Sequence, residues 1–123
     1  LYGARMLHIG TERALAAVTY SIAGSVGYID AERHAANFRH IAACSAPAAI
    51  IRLRDLFSLD LEAQDMLAEA VLDLTAHGKE VYISSARPEI VRELQAHRRI
   101  AHTLPPERFT AKTEDALRLV GVL

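Results

Sequence analysis

Few residues of this chain have the types and spacing that chemistry requires. Its six histidines are His8, His34, His40, His77, His97 and His102. None makes an i, i+4 pair or a His-Glu-x-x-His pattern, so ligand spacings for zinc are missing and surface roles are expected. Cys44 is the single cysteine and falls where a helix is predicted to end. Reactive thiolates sit at helix starts or beside a base, so Cys44 reads as packing. Gly24-x-x-Gly27 lies between predicted strands and reads as a turn, not a dinucleotide fingerprint. Gly78-Lys79 follows a helix, whereas a phosphate cradle must precede one. Ser84-Ser85-Ala86-Arg87 does precede a helix. Ser84, Ser85 and Arg87 are therefore a candidate anion or nucleotide contact, and the competing reading is an N-cap supplied by Ser85 or a neighbour. Ser58, Ser84 and Ser85 stay open as phosphorylation sites. No base–nucleophile pair or ligand cluster is visible, so no catalytic residue, metal or cofactor is expected.

One charged feature stands out. Asp60, Glu62, Asp65, Glu69 and Asp73 recur every two to four residues without an intervening base. On a helix they form an acidic stripe, which either steers a partner or is a solvated face. Leu61, Ala68 and Leu72 lie on the flank between that stripe and the apolar face. Either a neighbouring helix or a partner covers them.

The elements that hold these residues follow from periodicity. Val18, Tyr20 and Ile22 alternate with smaller or polar residues, as on a half-buried strand. Gly24 and Gly27 bracket a turn, and Ser25 to Ile29 reads as a short strand closing a hairpin. A helix then starts at Asp30, its expected N-cap, with Ala35, Phe38, Ile41 and Ala42 inward. Ala48 to Leu53 is an unalternating apolar run, as expected of a central strand covered on both faces. Asp55 to Asp60 reads as a connection. Asp60 to Ala76 is the clearest helix, with Ala63, Leu67, Ala70, Val71 and Leu74 on one face and Gly78 terminating it. Val81 to Ile83 is a further buried strand. Pro88 opens a helix running to about His97, with Ile90, Val91 and Leu94 inward. Arg108 to Ala111 is a short last strand, and Thr113 caps a final helix with Ala116, Leu117 and Val120 inward. Alternation of this kind specifies a mixed sheet with helices packed on it.

Length and composition bound the function. At 123 residues the chain fits one domain. Apolar residues make up 51% and charged residues 24%, a globular composition. The net charge is −1, so no bulk positive field exists to hold nucleic acid. Aromatics at 6%, with no Trp, leave few stacking platforms for single strands. No segment has the roughly 18 apolar residues of a membrane span. Leu1 to Gly10 lacks the long apolar region of a signal peptide. The chain opens without Met. We expect a fragment of a longer polypeptide, with residues 1–11 a linker, juxtamembrane remnant or appended tail and residues 12–121 the domain.

The order of elements carries a family resemblance. Ala48-Ala49-Ile50-Ile51-Arg52-Leu53, then Leu59-Asp60 and a helix, resembles the central strand, signature loop and first long helix of STAS domains. That family covers anti-anti-sigma factors and the cytoplasmic C-terminal part of SulP-type anion transporters. Gly78 to Ile83 is similar to the following strand, and Arg87-Pro88-Glu89-Ile90-Val91-Arg92-Glu93-Leu94 to the next helix. Arg108-Phe109 with Thr113 to Leu117 resembles the family's ending. Gly24 to Phe38, with its Ala31-Glu32-Arg33 helix start, resembles the SulP branch. The likeness covers residues 14–120. It implies an α/β fold, a STAS-like mixed sheet of four to five strands with helices mainly on one face. It implies a non-catalytic regulatory and interaction domain of a sulfate or related anion transporter, on the cytoplasmic side of the inner or plasma membrane. Its partners would be the transmembrane part of the same chain and a cytoplasmic protein or second copy. The signature loop places partner contacts at Asp60, Leu61, Glu62 and Ala63. Signalling members carry Asp-Ser-Ser-Gly there, and the second serine accepts a phosphoryl group. Here the loop reads Asp60-Leu61-Glu62-Ala63, and Glu62 has no hydroxyl to modify. A free-standing signalling protein lacking that serine is the alternative, and a nucleotide-binding regulatory module a further one.

Overall fold

The computed structural model describes the backbone of residues 2–9 and 12–123, and the side chains of residues 16–27 and 30–123. Strand β1 (Tyr2–Ile9) pairs antiparallel with β2 (Glu12–Ser21) from Tyr2 opposite Tyr20 to Ile9 opposite Glu12, with an irregularity between Arg5 and Met6. The segment that the sequence sets apart as a tail thus lies in the sheet as its outer strand. β2 runs parallel to β4 (Ala48–Arg52), which runs parallel to β6 (Glu80–Ser84), and β7 (Phe109–Thr110) closes the other edge. The order β1-β2-β4-β6-β7 puts β4 at the centre.

That position explains the unalternating run. Ala49 and Ile51 point into the larger core, while Ala48 and Ile50 point into a smaller one on the opposite face. Side chains alternate faces along a strand, so a strand covered on both faces must be apolar throughout. The larger core is built with α1 (Tyr28–Ala43), α2 (Leu61–Ala76), α3 (Pro88–Ala96) and α4 (Arg98–Thr103). Ala116 and Leu117 of α5 (Thr113–Leu119) cover the smaller core with Ala17 and Tyr82. Helices therefore lie mainly on one face, as expected. The sequence reading runs one helix to His97 and misses α4, whose buried Ile100 completes the core.

The expected hairpin is not formed. Gly24–Val26 is a strand, β3, but it pairs in parallel with β5 (Leu56–Leu59) in a separate two-stranded sheet. β5 occupies the segment read as a connection. Its Leu56 and Leu59 are buried while Phe57 and Ser58 between them are exposed, so no period-two alternation marks it. α1 starts at Tyr28, and its cap residue is Gly27, three positions ahead of Asp30. Asp30 lies in the first turn instead, 3.5 Å from Arg33. On this helix Phe38, Ile41 and Ala42 are buried as expected, and Ala35 is half-buried. Thr113 is the first residue of α5, behind Lys112 as the cap residue.

α2 follows its sequence closely. Ala63, Leu67, Ala70, Val71 and Leu74 are buried, and Ala68 of the flank joins them. Its end is a Schellman turn: Gly78, at φ +79°, donates to the Thr75 carbonyl at 2.9 Å, and Lys79 donates to that of Leu74 at 3.1 Å. The next side chain is a buried cation. The Lys79 ammonium donates to the carbonyl of Cys44 at 2.8 Å and to that of Ala46, tying the C-terminal end of α1 where the helix dipole favours positive charge.

Candidate partner-binding site at the start of the long helix

The β5–α2 junction holds the signature-loop residues. Asp60 has extended backbone angles, and its Oδ1 accepts from the Ala63 amide at 2.8 Å, so it is the N-cap. Two further bonds fix the corner: the Asp60 amide donates to the Val26 carbonyl at 3.2 Å, and Gln64 Nε2 donates to the Leu59 carbonyl at 3.2 Å. Gly27 lies against the cap, where a Cβ would stand 3.2 Å from Asp60 Oδ2. Behind this corner Ala63 is fully buried. It contributes its amide to the cap, and its methyl faces the core rather than a partner. The family resemblance groups Ala63 with the contact residues, whereas the apolar stripe of α2 turns it inward, and its burial follows the stripe.

In front of the corner, Leu61 is 76% exposed and Phe57 58% exposed. Glu62 is exposed beside Leu61, at a helix N-terminus where a carboxylate is favoured. Arg87 reaches this surface from the start of α3, its guanidinium 4.4 Å from the centroid of the Phe57 ring. Two large apolar side chains with opposite charges beside them thus share one exposed corner, on a backbone held by three hydrogen bonds. Neither Phe57 nor Arg87 is legible in the sequence as a member of this corner: Asp55 to Asp60 reads as a connection, and the contact spans thirty positions of sequence.

The second candidate cluster comes apart. Ser84 is fully buried, and its hydroxyl is 2.9 Å from Thr113 Oγ1. Ser85, at φ +61°, brings its own hydroxyl 3.3 Å from the same atom. The two serines link β6 to the start of α5, while Arg87 turns away to Phe57. Nor does Ser85 cap α3: Arg87 holds the cap position with no side-chain bond. Of the serines left open to modification, Ser58 is exposed on β5, Ser85 half-buried and Ser84 inaccessible.

Among the described residues, two ionisable side chains are shifted by burial. His34 is packed against Tyr20, whose hydroxyl lies 2.5 Å from Nδ1 and accepts from Asn37 Nδ2 at 2.9 Å. Burial first, and Arg33 next, hold the imidazole below its usual range. Burial and the neighbouring Glu80 raise the Tyr82 phenol, with Arg108 opposing. The other described histidines are dispersed: His77 donates to the Asp73 carbonyl at 2.8 Å and His97 to Asp65 at 2.9 Å.

No family model matches the chain, and no curated protein matches it in sequence. Solved structures do match its fold. The STAS domain of a SulP transporter from Vibrio cholerae aligns with a TM-score of 0.67 over 84% of this chain and 78% of that one, at 21% identity. The chain has the STAS fold. The Bacillus anti-sigma factor antagonist SpoIIAA, in its unphosphorylated form, has the same TM-score over 98% of this chain and 99% of its own, at 15% identity. SLC26A9 aligns at 0.69 over 97% of this STAS fold but 24% of the SLC26A9 chain, at 10% identity. Transporter parts and a signalling protein are thus both among the neighbours, and identities this low speak for the fold alone. Among the described residues, no helix of this STAS fold is long and apolar enough to cross a membrane.

Proposed function

We propose that this chain is the regulatory and interaction domain of a SulP-like anion transporter, and that it acts through binding rather than catalysis. The observation that carries the reading is the β5–α2 corner. It presents exposed Leu61 and Phe57 beside Glu62 on a backbone held by the Asp60 cap. A rigid, partly apolar surface of this kind loses little freedom on binding, which favours a lasting contact. Glu62 carries a constant negative charge where signalling members of the family carry a serine to be phosphorylated. That suits a domain whose contact is not switched by phosphate. The partners on this reading are the membrane-spanning part of the same polypeptide and a cytoplasmic protein or second copy, with the domain on the cytoplasmic side.

The test is fractionation of native cells with an antibody raised against this domain. The reading expects the epitope in the membrane fraction, resistant to alkaline carbonate, on a polypeptide several times the 13.5 kDa of this chain. A carbonate-soluble band near 13.5 kDa would replace it with the second reading, a free-standing signalling protein. That second reading is favoured by the likeness of fold to SpoIIAA, an anti-sigma factor antagonist.

A further inference from the structure

A groove of about 620 Å³ opens to solvent between α1 and α2. Its floor is apolar and mostly small: Ala31, Ala35, Phe38, Met66 and Ala70. Its walls are charged. Glu32 stands on the α1 side, and Glu62, Asp65, Glu69 and Asp73 on the α2 side, against only Arg39 and Arg99. Arg99 pairs with Asp65 and Glu69, and Asp73 pairs with His77 when that imidazole is protonated. Glu32 and Glu62 have no ion-pair partner among the described residues. The four α2 carboxylates recur at intervals of three, four and four residues, a single stripe about 17 Å long at 1.5 Å per residue.

We infer that this groove receives a basic amphipathic helix of about twelve residues from a partner protein. The shape calls for a helix. Both walls are helices whose backbone bonds are internal, so an extended segment would find no ladder to join, whereas a third helix brings its own bonds satisfied. Alanines on the floor let an apolar ridge approach closely, and the flexible Met66 adjusts to it. The charge sets the sign. A lysine or arginine stripe on the incoming helix meets five carboxylates, and the two unpaired ones gain their first partners. The inference goes beyond the transporter reading, because the groove is the same whether the domain is tethered or free.

The test titrates the 123-residue chain with a helical peptide of about 16 residues made of leucine and lysine, its leucines patterned into one stripe. Binding should shift the backbone amide resonances of 31–39 and 62–73, raise the helical signal of the peptide, and weaken several-fold between about 50 and 200 mM salt. Glu32→Lys combined with Glu62→Lys should weaken it about tenfold, both side chains being exposed rim charges. The milder pair Glu32→Gln and Glu62→Gln, expected to weaken it about threefold, keeps the test decisive if charge reversal unfolds the chain. Equal binding by a peptide of the same composition with scattered leucines would overturn the inference. So would shifts confined to other elements, or undiminished binding by the variants. Self-association of the free chain through these same amides would assign the groove to a second copy and overturn it as well.

Discussion

Asp60→Ala is the sharpest probe of the β5–α2 corner. The lost interaction is one hydrogen bond, Oδ1 to the Ala63 amide at 2.8 Å, together with a negative charge at the N-terminus of a sixteen-residue helix. A cap of this type contributes about 1 kcal/mol. The charge adds about 0.5 kcal/mol, toward the low end because Asp60 is exposed to water. The expected loss is therefore about 1.5 kcal/mol. With a urea slope of about 1.5 kcal/mol/M for a domain of this size, the midpoint should fall by about 1 M. Asp60→Asn separates the two parts, since its amide oxygen still accepts from Ala63 while the charge is gone. It should move the midpoint by about 0.3 M. Urea titrations of the three proteins followed by far-UV circular dichroism provide the measurement. An Asp60→Ala midpoint within about 0.2 M of the parent would refute the cap as a stabilising element. Equal losses for Ala and Asn would show that charge, not the hydrogen bond, holds the corner.

Leu67→Ala removes a fully buried side chain from the α2–sheet contact and should cost about 2–5 kcal/mol, read as a lowered urea midpoint. Lys79→Met leaves the Cys44 and Ala46 carbonyls without their donor and should cost about 2 kcal/mol or more by the same assay, while a neutral outcome would show that water replaces the ammonium. For His34, the unfolded chain takes up the proton near the ordinary 6.5 while burial resists it in the fold. Its contribution is complete above that value and lost as the pH falls toward the lowered folded pKa, so the decline in stability below about pH 6.5 should be shallower in His34→Gln, and parallel profiles would refute the assignment. Glu62→Ser restores a hydroxyl at the helix start; incubated with an anti-sigma-factor kinase and ATP, it should keep its fold and its unmodified mass, and stoichiometric gain of one phosphoryl group would favour the signalling reading.

The elements that local order specifies were legible in the residues. α2 announces itself by a one-sided apolar stripe, Asp60 before it and Gly78 after it, because a helix closes its own hydrogen bonds and needs only its period and its ends. β4 announces itself as a run without alternation, because both its faces are covered. Asp60, Leu61 and Glu62 could be placed at one corner for the same reason, since all three ride on the start of α2. Tertiary structure alone decided which segments pair across distance. The sequence around β3 reads as half of a hairpin, yet its partner is β5, with Gly24 opposite Leu56 and Val26 opposite Leu59, and neither strand is long enough to show its faces. Arg87 was grouped with Ser84 and Ser85 by adjacency, but Ser85 turns at φ +61° and sends the three side chains apart, the serines to Thr113 and the arginine to Phe57. Lys79, which in sequence is only a residue following a helix, is a buried tie to the end of α1. Sequence periodicity records which face of an element avoids water; it holds no record of which other element covers that face, and the groove between α1 and α2 exists only once both have been laid on the same side of the sheet.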